Sequence, residues 1–347
     1  MKSTVAPVEI APLTPSERPL WQAFLAESAN GTLFHDLAFL DYHPADRFRF
    51  AHLVLRQKNK ILALVPGGLA TKEEGEIFVS PLGASVGGPA VAKDLTVLQG
   101  LALTQALQAY ARERGWAGLE LTLPPAFYAQ PATDILPFAL FGRGFRLANR
   151  WLSAMLDLSA ASAPRYDHLF SKRQKTYARS LGRKGMEIRL GGVELLPLFL
   201  EVFADTYARH GKQATHTPEE IESLLTRHPN EINLALALME ERCAAGVLLF
   251  RVAPSVTNTF YICSGRDSSD EKGLVFLLAE LADMLAERGI RWLDLGPTCW
   301  DGNYNAGVTF FKESLGCATA CRDRWIWRAA WTEGPPLAHQ NFISSEA

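Results

Sequence analysis

Glu113-Arg114-Gly115-Trp116-Ala117-Gly118-Leu119-Glu120-Leu121 returns 174 residues later as Glu287-Arg288-Gly289-Ile290-Arg291-Trp292-Leu293-Asp294-Leu295. Five of the nine positions are identical, and Glu120 is set against Asp294. Each copy reads as the end of a helix, a glycine that closes it, and a strand in which leucines alternate with an acid. That grammar is common, so the order of what surrounds it carries the argument.

Upstream of the first copy, Thr14-Pro15-Ser16-Glu17 is a capping box with proline at the first helical position, and apolar residues then repeat at helical spacing until Asn30-Gly31. Strand-like runs over 50–57 and 61–70 flank Lys58-Asn59-Lys60 and predict a hairpin. Ile77-Phe78-Val79 leads into a turn-rich loop, and a helical period over 94–114 ends at Gly115. The second half repeats the order. A helix over 194–209 and a second capping box at Thr217-Pro218-Glu219-Glu220 precede strands over 232–239, 244–253 and 257–263, then a helix over 270–288 and the strand Trp292–Leu295. A duplicated α+β unit accounts for the whole pattern. The Ala/Ser/Pro-rich Ser159–Pro164 predicts the boundary, with domains over 1–158 and 165–347.

A chain of 347 residues with 48% hydrophobic and 21% charged residues can bury two cores. A net charge of −2 excludes a global basic field, so any contact with RNA has to be local. Five cysteines without a CxxC pair argue against a disulfide framework and for a reducing compartment. The first residues show no signal-like apolar core, and no run of apolar residues is long enough to span a bilayer, so a cytoplasmic location is expected. The histidines and acids lack ligand spacing, and no metal is expected.

Lys172, Arg173, Lys175, Arg179, Arg183 and Lys184 place six cations within thirteen residues without an acid. Arg173, Arg179 and Arg183 are candidates for phosphate contacts, and a solvated basic helix is the competing reading. Asp294 stands at the C-terminal end of a strand, where it could orient an amine or cap a loop; Glu120 reads as structural. The stretch 298–307 mixes aromatic and amide residues, so Trp300 and Tyr304 could stack on a base or sugar, or only pack the loop. Cys299 has no evident histidine as a base.

Ser80-Pro81-Leu82-Gly83 with Gly87-Gly88-Pro89, the basic run 172–184, Asp294-Leu295-Gly296 and Phe311-Lys312-Glu313-Ser314-Leu315-Gly316 together resemble the FemABX-like branch of the GNAT acyltransferases, over roughly residues 15–330. The resemblance implies two tandem GNAT-like domains, each a mostly antiparallel sheet flanked by helices. It implies transfer of an acyl or aminoacyl group to an amine, on a peptidoglycan or other cell-envelope precursor in many relatives, from aminoacyl-tRNA or acyl-CoA. It also places Lys312 beside the reacting carbonyl and the active site in the second domain, with Phe311 in the substrate site; by helical spacing Phe310, Phe311 and Leu315 anchor the turn that carries Lys312. The competing reading of Lys312 is a surface lysine paired with an acid.

The loop before the 270–288 helix departs from a CoA site. It lacks spaced glycines and carries acids where a pyrophosphate would sit. A helical hairpin that holds tRNA is not evident either. An acyl-CoA-dependent N-acetyltransferase acting on an amino sugar or small metabolite, and a degenerate GNAT pair that only binds, remain as alternatives.

Overall fold

The computed structural model describes residues 6–331 apart from Ala45, Ala161, Lys212 and Asp301, with only the backbone of His210, Trp300 and residues 268–271. The fold is α+β and divides into two units, Met1–Arg150 with Arg322–Ala347, and Trp151–Cys321.

The first unit holds β1 (Glu9–Pro12), α1 (Arg18–Glu27), α2 (Leu37–Leu40), β2 (Arg49–Phe50), β3 (Leu53–Gln57), β4 (Lys60–Val65), β5 (Gly68–Lys72), β6 (Gly75–Ser80), β7 (Ala90–Val91), α3 (Val97–Glu113), β8 (Gly118–Thr122) and α4 (Ile135–Gly142). The strand β9 (Arg146–Asp157) leaves it. A four-stranded sheet runs β1-β3-β4-β7, and its expected hairpin turns at Lys58 and Asn59, both with positive φ. A second sheet joins β8, β6, β5 and β2, and α3 packs Leu103, Leu107 and Ala111 into the core behind Leu119 and Leu121. Thr96 caps α3 and exchanges hydrogen bonds with Gln99, so the helix starts three residues after the expected Asp94.

The second unit holds α5 (Tyr166–Leu169), α6 (Lys172–Arg183), β10 (Glu187–Gly191), α7 (Leu196–His210), α8 (Pro218–Arg227), β11 (Ile232–Met239), β12 (Arg242–Ala253), β13 (Val256–Ser264), α9 (Ser268–Glu287), β14 (Trp292–Trp300), β15 (Asn303–Tyr304) and α10 (Ala306–Ser314), and β16 (Ala318–Arg328) leaves it. Its sheet runs β10-β11-β12-β13-β14-β9. Val247 and Leu249 on β12 face α9, whereas Gly246 faces α7, where a Cβ would lie 2.8 Å from Phe199 Cδ2. Helices therefore cover both faces.

The two copies of the repeat end their helices with the same bonds. Trp116 N donates to Ala111 O at 2.9 Å, and Ile290 N to Leu285 O at 3.0 Å. Gly115 and Gly289 hold positive φ between them, as a left-handed cap requires. The strands that follow, β8 and β14, each lie parallel to the second strand of the preceding hairpin, β6 and β13.

Each unit's sheet is completed by a strand from the other half of the sequence. The C-terminal part of β16 pairs with β8, through Trp325↔Leu121 and Trp327↔Leu119, while the end of β9 pairs with β14, through Asp157↔Trp292. The linker expected at Ser159–Pro164 consequently falls inside the second unit, and residues 322–331 belong to the first. Composition marks a loop there, but long-range pairing sets the division. The stretch 298–307 also differs from the irregular loop expected of it: β14 runs to Trp300, turns back as β15, and Asn305 caps α10 by accepting from Val308 N.

Candidate functional site

β13 and β14 run parallel for three residues and then part. Their register covers Val256↔Trp292, Thr257↔Leu293 and Asn258↔Asp294. Beyond it, Gly296 takes φ +76, and the register of β14 on β9 shifts between Asp294 and Pro297. Asn258 Nδ2 and Thr259 Oγ1 both donate to Asp294 O, each at 3.2 Å, and so fix the point of divergence. From Thr259 onward the β13 edge has no β14 backbone opposite it in register. An opening between two strands whose backbone groups lack sheet partners can take up a carbonyl or an extended chain.

Asp294 lies at this opening. Its side chain is fully buried, and Oδ1 accepts from Gly296 N at 2.7 Å, which holds the bulge. This bond is the loop-capping contact that the sequence allowed for Asp294 beside an amine-orienting role. Its counterpart Glu120 is equally buried but sits among cations: Lys72 and Arg328 donate to Oε1 at 2.7 Å, and Arg324 pairs with Oε2. Burial pushes the Glu120 carboxyl up, yet these three donors overrule it and hold it down at about 2.

Lys312 is a buried residue, 5% exposed, on α10. Its Nζ donates to the carbonyls of Leu295, Gly296 and Pro297 at 2.6, 2.9 and 3.0 Å. Where β13 leaves, an ammonium takes over as partner of the β14 carbonyls. An ammonium has three donors, and all three are used here. This is not a surface lysine: Lys312 fixes the wall of the opening and puts a positive charge behind it. Phe310 does not anchor the turn as expected, because it is 71% exposed, whereas Leu315 is buried and Phe311 packs at the core's edge. Nearby, burial pushes the Cys317 thiol up to about 12, with Lys312 pulling it down and Asp294 pushing it up. It is no nucleophile at neutral pH.

α10 also borders a cavity of about 420 Å³ whose lining includes Arg173, Gln174, Tyr177, Lys272, Phe310 and Phe311, together with Ser171 and Ser314. Arg173 Nε donates to Tyr177 Oη at 2.8 Å, and the Lys272 ammonium lies 5.3 Å from the centre of the Tyr177 ring. Gln174 Nε2 donates to Ser314 Oγ at 2.8 Å, while its buried Oε1 has no partner. Ser171 occupies the N-cap of α6 without its side chain capping the helix. Two cations, an uncapped helix N-terminus and an exposed aromatic ring suit a phosphate attached to a planar or apolar group.

The remaining expected residues divide. Arg173 and Phe311 meet in this cavity. Arg179 leaves it and bridges Asp167 at 2.6 Å, and Arg183 is exposed at the far end of α6. A helix sends residues six and ten positions apart to different sides. Tyr304 is exposed on β15, and the side chain of Trp300 lies outside the described residues. Cys299 contacts Thr298 Oγ1 at 3.3 Å. Lys272 and Gln174 escaped the sequence reading; Lys272 sits among acids, and only its place one turn before Val275 and Phe276 on α9 could have marked it.

Where β13 gives way to the loop before α9, two amides are already engaged: Ser264 N donates to Thr206 Oγ1 at 3.0 Å and Gly265 N to Ala244 O at 2.9 Å, while Arg209 binds the carbonyls of both residues. Neither of these two amides is open to a diphosphate.

A family model described as an acetyltransferase (GNAT) domain matches residues 170–312, a stretch that runs from the cavity to Lys312. No curated protein matches the chain by sequence. Among solved structures, FemX shares the fold with a TM-score of 0.70 at 12% identity, over 92% of this chain and 97% of FemX. The C-terminal domain of a putative lysylphosphatidylglycerol synthetase from Agrobacterium fabrum is similar with a TM-score of 0.57 at 12% identity, over 90% and 91% of the two chains. A tandem GNAT protein from the clavulanic acid biosynthesis pathway follows with 0.53 at 13%, over 94% and 99%.

Proposed function

We propose, taking residues 170–312 as a GNAT acetyltransferase domain within a fold like that of FemX, that the protein transfers an acyl or aminoacyl group to the amine of a phosphate-bearing acceptor such as a cell-envelope precursor. The observation that carries this reading is the divergence of β13 and β14 beside a cavity that holds Arg173 and Lys272. In this reading the amine attacks the carbonyl carbon directly in a ternary complex. The N–H groups of the β13 edge offer hydrogen bonds to the oxyanion, the Lys312 charge behind β14 favours the same negative charge, and the leaving group takes the amine's proton. Positioning supplies most of the rate.

The engaged amides of Ser264 and Gly265, with the acids Asp267, Asp270 and Glu271 that follow them, weigh against an acyl-CoA held there in the usual way, and we favour aminoacyl-tRNA as donor. The GNAT match itself favours the second reading, an acyl-CoA-dependent N-acyltransferase on an amino sugar or small metabolite. Thermal stabilisation by acetyl-CoA, with none from aminoacyl-tRNA, selects the second reading. No turnover with either donor would leave a GNAT pair that only binds. No helix among the described residues is long and apolar enough to cross a membrane, and we place the reaction in the cytoplasm.

The cavity is tested by Arg173→Ala with Lys272→Ala. Affinity for a UDP-linked amino sugar should fall and its dependence on salt should flatten, at an unchanged melting temperature. Equal affinity with an equal salt dependence sinks the assignment of the phosphate to this cavity.

A further inference from the structure

Far along the sequence from this site, α3 and α4 leave an apolar strip uncovered. The helices meet closely at Gly100, where a Cβ would lie 2.6 Å from Ile135 Cγ2, and at Gly142, where a Cβ would lie 3.5 Å from Leu101 Cδ2. Along this seam Leu98, Phe138 and Phe141 are 50%, 57% and 60% exposed, although α4 buries Leu136, Ala139 and Leu140 on its other side. Phe138 and Phe141, one turn apart, share a helix face and form the continuous part of the strip. A helix that is apolar all round normally has both sides covered, and an exposed patch of this kind marks an interaction surface.

The charge around the strip indicates what covers it. Gln108 Nε2 donates to Arg143 O at 2.7 Å, which brings the C-terminal ends of the two helices together. Residues 112–114 and 141–147, at that end, carry Arg112, Arg114, Arg143 and Arg146 with one acid, Glu113. A second copy of the chain would bring four more cations to the same surface, and like charges across an interface are unfavourable. An anionic lipid surface offers an apolar layer to the strip and phosphates to the arginines, whose guanidinium groups meet the Leu101 carbonyl at 3.3 Å in Arg143 and lie over the Trp327, Tyr110 and Trp331 rings in Arg112, Arg114 and Arg146.

We infer that the α3–α4 face docks the protein on anionic membrane, with Phe138 and Phe141 entering the headgroup boundary and the four arginines resting on lipid phosphates. This attachment is peripheral, and it is independent of the transfer chemistry proposed above.

Co-sedimentation of the full chain with phosphatidylcholine vesicles, with and without phosphatidylglycerol, tests it. The protein should pellet with the anionic vesicles at low salt and stay in solution with pure phosphatidylcholine or at high salt. Phe138→Ser with Phe141→Ser should weaken partition by roughly tenfold or more, and Arg143→Gln or Arg146→Gln by roughly fivefold each. Both phenylalanines are already exposed, so the melting temperature of that variant should hold and the comparison remain valid. Absence of pelleting with anionic vesicles overturns the inference, as does pelleting that the Phe138→Ser/Phe141→Ser variant retains. Concentration-dependent dimerisation that requires the two phenylalanines, without vesicle binding, overturns it in favour of self-association.

Discussion

Lys312→Met keeps the length and most of the volume of a buried side chain while removing its charge and all three donors. The carbonyls of Leu295, Gly296 and Pro297 then lose bonds of 2.6, 2.9 and 3.0 Å inside the protein. Hydrogen bonds to a charged group contribute about 1.5–3 kcal/mol each. Against that, the variant no longer has to bury an ammonium, which costs several kcal/mol. The net loss works out at roughly 2–4 kcal/mol, within the range seen when a buried polar network is broken. At about 2–4 °C per kcal/mol for a domain of this size, the melting temperature should fall by roughly 5–15 °C. Differential scanning fluorimetry and urea unfolding measure this directly. Turnover, assayed at a temperature where the variant stays folded, should drop by roughly 10²–10³ as the wall of the opening relaxes and its charge disappears. A melting temperature within a degree of wild type would refute the claim that the ammonium holds β14. Wild-type turnover in a folded variant would take Lys312 out of the chemistry altogether.

Glu120 should make stability depend on pH. Its folded carboxyl sits at about 2 against an ordinary 4.5, so it contributes stability that is fully present above the ordinary value and is lost as pH falls from there towards 2. Urea midpoints measured between pH 7 and 3 should show a loss of about 2–3 kcal/mol that Glu120→Gln removes. Gly316→Ala should destabilise by about 2–4 kcal/mol, since Gly316 has φ +74 and a Cβ would lie 2.1 Å from Leu169 O; near-native urea unfolding of that variant would mean the backbone yields there. Iodoacetamide at pH 8 should label the exposed Cys321 well before Cys263 and Cys317, whose thiols burial pushes up to about 12. Mass spectrometry showing Cys317 labelled first would contradict the packing around Lys312.

Local chemistry made half of the architecture legible. Capping residues announce themselves, so Thr14 and Thr217 marked their helices, and the glycine caps at 115 and 289 exposed the repeat. The pairing of β16 with β8 leaves no such mark, because Trp325 and Trp327 are ordinary strand residues until their partners are known. The same limit applied to the site. The repeat drew attention to Asp294 and the resemblance to Lys312, and both lie at the divergence of β13 and β14, but which way each side chain points depends on a bulge at Gly296 that a periodicity cannot show. Arg173 could be told from Arg179 only once Tyr177 and Lys272 were seen beside it.

The exchanged strands also impose a schedule on synthesis. Glu120 on β8 and Arg324 on β16 are 204 residues apart, so a ribosome adding 5–20 residues per second needs about 10–40 s to deliver the partner strand after β8 has emerged. For that interval the nascent first unit carries an open, apolar sheet edge, the kind of edge on which chains aggregate. Slow codons or stalling between the two strands would lengthen the exposure, and a chaperone that shields strand edges would matter most in that window.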